Sequence, residues 1–247
     1  MLIIYDFISY TDVFTYNITT LESLLIYAMK TITYQSDYLG NGFEFATINQ
    51  PDDYEGKVVA TVIRKQCSMP SNKAVLYVHG FNDYFFQSEM AHRFNEKEYH
   101  FYAIDLRKYG RSTLPHHKSN NMRSLTEYFA DLDEALDIIR QEGNEQVLLS
   151  GHSTGGLLVT LYASERVGNE KFDTIFCNSP FYDMNMPGYQ KRLLVPLVAL
   201  FGKYFPDVLL PGKISEWYGH SLHGEKKGEW DYNLVWKPHL VPALNAG

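Results

Sequence analysis

Residues 147–162, "VLLSGHSTGGLLVTLY", decide how the chain is read. The run "QVLLS", residues 146–150, is short and apolar, as in a buried strand. Residues 154–166 predict a helix. Between them Gly151-His152-Ser153-Thr154-Gly155 fit G-x-S-x-G. In this setting the motif describes a sharp strand-to-helix turn, in which the flanking glycines avoid side-chain clashes. Such a turn lifts the Ser153 Oγ above the strand ends and sets it at a helix N-terminus. Free N–H groups and the helix dipole there favour developing negative charge. Ser153 is therefore the candidate nucleophile, and Thr154 a candidate backbone donor to an oxyanion. Gly151, His152 and Gly155 support the turn. The bland alternative, a glycine-rich turn with no chemistry, fits the motif alone but not its strand–helix frame.

Outward from this stretch the pattern alternates. "AVLYV" (74–78) and "HFYAI" (100–104) are continuous apolar runs, with a helix over 87–97 between them. "SLTEYFADLDEALDIIR" (124–140) puts Phe129, Leu132, Leu136 and Ile139 on one helical face, and Ser124 with Glu127 forms a capping box. "FDTIFCNS" (172–179) reads as a further strand. Before these, "GFEFATI" and "KVVATVIRK", parted by the turn cluster "NQPDDYEG", predict an antiparallel hairpin. Strands alternating with helices imply an α/β fold, a mostly parallel sheet flanked by helices.

Two further segments bear on the site. In "LYVHGFNDY" (76–84), the His79-Gly80 pair ends a strand and can turn the Phe81 N–H toward Ser153. His79 is read as a turn-stabilising side chain, not as a base. In "AIDLRKYGRS" (103–112) the cations suggest phosphate binding, but the stronger reading is structural. Asp105 and Arg107 tie down the loop, and Gly110 permits its turn.

HGF, DLRKYGRS and GHSTGG, in this order, resemble the α/β-hydrolase superfamily, and more narrowly its serine aminopeptidase-like branch of monoacylglycerol lipases and lysophospholipases. "NSPFYDMN" (178–185) followed by a Pro- and aromatic-rich segment is similar to branch members with an inserted cap. The resemblance spans about residues 40–240. It implies hydrolysis of a small-molecule acyl ester without a cofactor, with Ser153 as nucleophile and Phe81 and Thr154 as oxyanion-hole donors. Together with the lack of a clear period over the first residues and the change of texture after Pro180, this divides the chain into an N-terminal extension (1–35), a hydrolase core (36–183) and a cap segment (184–247), the last with a helix read over 191–205.

In this fold the triad acid and histidine follow the serine. In the branch both come after the cap, and here the chain is expected to end before the last core strands, leaving the core incomplete and activity impaired. Asp183 is the one acid with a fitting address, after a core strand. His220, His223 and His239 sit in polar or proline-bounded contexts of the cap, and His116 and His117 precede the serine. Two rivals remain open: an inactive hydrolase serving as a binding module, and a peptidase using the same machinery on an amide.

Composition narrows the classes further. The 247 residues are 45% hydrophobic and 21% charged, ordinary for a globular protein. A net charge of −7 argues against a nucleic-acid surface. Two distant cysteines, Cys67 and Cys177, fit reduced thiols in the cytoplasm, and no Cys/His spacing suits a metal. "LLVPLVALF" (193–201) is too short to span a bilayer. It is read as a helix packed on its own domain, lining a substrate cleft rather than touching a membrane. The oligomeric state is not legible.

Overall fold

A computed structural model describes residues 32–205, except 167, 169, 170 and 184–186, together with Val208. Seven strands form one sheet: β1 (Gln35–Ser36), β2 (Glu44–Asp53), β3 (Gly56–Lys65), β4 (Lys73–Val78), β5 (Tyr99–Asp105), β6 (Gln146–His152) and β7 (Thr174–Asn178). Their spatial order is β1-β2-β3-β5-β4-β6-β7. The first three strands and β5 are joined by antiparallel pairings, whereas β5, β4, β6 and β7 run parallel. The helices are α1 (Ser88–Asn95), α2 (Phe129–Gln141), α3 (Thr154–Glu165) and α4 (Gly188–Tyr204).

The apolar runs become the central strands because parallel strands joined by helical crossovers are covered on both faces. Ala74 to Val78 of β4 are all buried, and β4 is flanked by β5 and β6. On one face Val75, Tyr77, Phe101 and Ala103 pack with Phe85 and Ala91. The predicted face of α2 is buried as well: Leu132, Leu136 and Ile139 are fully inaccessible.

The antiparallel hairpin is longer than "GFEFATI" implies. β2 continues through the turn cluster to Asp53, with a register shift between Gln50 and Asp53. Pro51 lies within that shift, where a residue lacking an N–H does least damage to the ladder. The Ser124–Glu127 capping box forms, but it heads a 3-10 turn over Leu125–Tyr128, and the α-helix starts at Phe129. The "FDTIFCNS" strand pairs with β6, yet Ile175 and Phe176 are exposed. The α4 helix also departs from expectation. It was expected to pack on its own domain, and none of its residues is buried. Its apolar residues run nearly all round the helix, so no single stripe can satisfy them against one surface.

The cations after β5 are structural. Arg107 makes a bidentate pair with buried Asp131, at 2.7 Å for the shortest contact. Lys108, fully buried, lies 2.7 Å from Asp53 and 2.8 Å from Glu55 at the tip of the β2–β3 hairpin. Arg111 bridges Asp37 and Asp105. Asp105 in turn accepts the Phe85 N–H at 2.8 Å. At Gly110, φ +44, an added Cβ would lie 2.6 Å from the Asp105 carboxylate, so this turn requires glycine.

Candidate active site

β6 runs through His152, and α3 begins at Thr154, leaving Ser153 alone at the junction with φ 53 and ψ −119. A non-glycine residue in this region stores on the order of 1–3 kcal/mol of strain and persists only where its surroundings over-determine it. Here they do. The Ser153 N–H donates to the Asn178 carbonyl at 3.1 Å, and the Ser153 carbonyl accepts from Phe181 N–H at 2.9 Å and Leu157 N–H at 3.2 Å. The end of β7 is thus bonded to both sides of the turn.

The glycines of the motif answer a need for room. A Cβ on Gly151 would strike the Gly155 carbonyl, and one on Gly155 would strike the carbonyls of Val78 and His79. Helix α3 therefore starts directly against the end of β4. The loop after β4 also closes on the serine, since a Cβ built on Gly80 would lie 3.2 Å from the Ser153 Cβ.

The loop after β4 is held from within. His79 is buried; its Nε2 accepts the Leu106 N–H at 3.2 Å, which leaves Nδ1 to donate to the Gly80 carbonyl at 2.8 Å. Its ring sits 4.7 Å from that of Tyr109. Neither nitrogen is free to take a proton from a nucleophile. Phe81 is 56% exposed, and Asn82 adopts φ 53. Thr154 is the first residue of α3, so its N–H lacks an intrahelical acceptor. Among the described residues, neither the Phe81 nor the Thr154 N–H is taken by a backbone carbonyl.

Other groups close the surroundings. His152 places Nδ1 3.1 Å from the Asn178 carbonyl, fixing the proton on that nitrogen. Burial raises the Asp83 carboxyl above its ordinary range, against the pull of His79, the Tyr84 N–H and His152. Asp183 lies on the surface with its carboxylate ion-paired to Lys191. His116 and His117 both direct Nε2 to the Lys57 carbonyl, at 3.0 and 2.8 Å. His220, His223 and His239 lie outside the described residues. Among the described residues no group of three or more His, Cys, Asp or Glu is placed to hold a metal ion.

Sequence reading did not find Asn82, Asn120, Gly156, Asn178 or Phe181. A Cβ on Gly156 would come within 2.8 Å of the Pro180 side chain, a close approach that the second glycine of "TGG" hints at. Asn82 and Asn120 sit in loops, where only their positive φ marks them out.

Residues 69–229 match the family described as serine aminopeptidase, S33. The chain belongs to that family. Its fold is that of the α/β hydrolases. Over 89 residues the S33 chain is 33% identical to epoxide hydrolase 4 of Mus musculus, a match covering 36% of this chain and 23% of the mouse protein. Its fold is similar to a thermostable carboxyl esterase from Bacillus coagulans in complex with glycerol. That likeness has a TM-score of 0.55 and 15% identity over 73% of this chain and 64% of the other. A soluble variant of monoglyceride lipase from Saccharomyces cerevisiae, with a substrate analog, gives 0.50 at 18% identity, over 76% and 58%. The S33 chain thus spans about a quarter of the curated relative and less than two thirds of each of these structures. No helix among the described residues is long and apolar enough to cross a membrane.

Proposed function

We propose that this chain carries the nucleophile and oxyanion hole of a carboxylic ester hydrolase of the lysophospholipase or monoacylglycerol lipase type. The observation behind it is the strained Ser153 turn, set between β6 and α3 and abutting Gly80. The Ser153 Oγ attacks the acyl carbonyl, its proton passing to a base. The new C–O bond pushes the carbonyl electrons onto oxygen, where the Phe81 and Thr154 N–H groups receive the charge. Collapse expels the alcohol, which takes up the proton, and water then hydrolyses the acyl-enzyme. The reaction so written uses only protein groups and water.

The base and acid of the triad are expected downstream of Ser153. Of the downstream acids Asp183 keeps the best address in the chain, and its carboxylate is ion-paired with Lys191. Without a base a serine is a weak nucleophile. Residual catalysis over water then falls to roughly 10³–10⁴ in the subtilisin precedent. We place the protein in the cytoplasm, consistent with free thiols at Cys67 and Cys177.

A panel of short-chain aryl esters and aminoacyl anilides tests the reading. Ester turnover lost in Ser153→Ala supports it, and preferential anilide cleavage would favour a peptidase. Binding of an acyl ester without turnover, unchanged in Ser153→Ala, would favour an inactive binding module.

A further inference from the structure

Phe81 presents a problem of anchoring. Its N–H must point at one spot beside Ser153, yet the residue is 56% exposed and packing gives it little hold. Before it, the turn is fixed by the His79–Gly80 hydrogen bond at 2.8 Å. After it stands Asn82, a non-glycine residue at φ 53, in a conformation that needs outside support.

That support comes from a loop 38 residues away in sequence. The Asn120 Nδ2 donates to the Asn82 Oδ1 at 3.0 Å. Asn120 itself has φ 59, and its N–H donates to the Lys108 carbonyl at 3.1 Å. Lys108 is clamped in turn by Asp53 and Glu55. Next to Asn120, the Asn121 Nδ2 donates to the Glu55 Oε1 at 2.9 Å. A continuous set of polar contacts therefore runs from the tip of the β2–β3 hairpin to the residue after Phe81.

We infer that Asn120 is a positioning residue, holding the Phe81 amide in the oxyanion hole through its side-chain bond to Asn82. The inference rests on the hydrolase reading of Ser153 given above. Asparagine suits both positions chemically: it tolerates a left-handed backbone, and its amide bonds side to side with a second amide.

Asn120→Gly removes the side chain and keeps the left-handed backbone unstrained. Asn120→Asp keeps an acceptor, to which the Asn82 amide donates after rotating by half a turn. Two readouts serve: the rate at which a fluorophosphonate reacts with Ser153, and the NMR order parameter of the Phe81 amide. Asn120→Gly is expected to slow the reaction roughly 10- to 100-fold, the scale of a misplaced catalytic contact. Asn120→Asp restores the rate, and adding Asn82→Gly to Asn120→Gly slows it no further. A lowered Phe81 order parameter accompanies the slow variant only.

Reaction of Asn120→Gly at the unaltered rate, or failure of Asn120→Asp to rescue, would overturn the inference. If the unaltered protein does not react at all, the hydrolase reading falls, and the order of the Phe81 amide still decides the positioning. An order parameter unchanged by Asn120→Gly would overturn it. One that is lowered in Asn120→Gly and restored in Asn120→Asp would sustain it.

Discussion

The two flanks of Ser153 are built in opposite ways. On the side of β5 and the hairpin, charges are buried and partnered: Arg107 with Asp131, Lys108 with Asp53 and Glu55, and Arg111 with Asp37 and Asp105. On the side of β7 and α4, apolar residues are exposed, Leu193 and Phe176 among them, and the Lys191–Asp183 ion pair lies at the surface. The first flank carries the Phe81 turn, where small displacements matter. The second bonds the serine through backbone atoms alone, from Asn178 and Phe181, and leaves its side chains open. Precision in this site therefore comes from buried polar contacts on one side and from main-chain pairing on the other.

Breaking the first flank should have the largest effect. Asp131→Ala leaves Arg107 buried without its carboxylate, and loss of one partner from a buried pair costs about 3–5 kcal/mol. A urea titration should show the midpoint falling with little change in slope. Acid should reach the same flank. Burial alone would raise Asp53 and Glu55, but Lys108 outweighs it and holds both carboxyls below their ordinary values. Carboxyls depressed by folding contribute stability that is complete above the unfolded value, near 4, and is lost as pH falls through the folded one. The urea midpoint should therefore drop below about pH 4, and this limb should flatten in Lys108→Met, where the cation is absent.

Smaller effects sharpen the contrast. Ser124→Ala removes the hydroxyl that accepts the Thr126 N–H at 3.3 Å, and should cost about 1 kcal/mol. Leu197→Ala on α4, where the side chain is 54% exposed, should stay within about 0.5 kcal/mol. A loss of several kcal/mol at Leu197 would mean that the second flank is covered, and the comparison would fail.

The same division governs what the sequence disclosed. The central strands and α2 were legible because burial on both faces, or on one helical stripe, writes a period into the residues. The strand–turn–helix setting of Ser153 was legible for a related reason: Gly151 and Gly155 are forced by contact between backbones. The extension of β2 past Pro51 was hidden, since a bulge lets a turn-like composition continue a strand. The exposure of α4 was hidden too, because an apolar run predicts a helix but not what covers it. Asn82 and Asn120 left no trace, as a side-chain bond between two loops has no periodicity.

The central claim is that Ser153 is held on its turn as a nucleophile facing the Phe81 and Thr154 amides. Treating the folded protein with a fluorophosphonate and mapping the adduct by mass spectrometry tests it most directly. The account predicts one phosphonylated residue, Ser153, and no labelling of Ser153→Ala. Folded protein that stays unlabelled, or an adduct on any other residue, would contradict it.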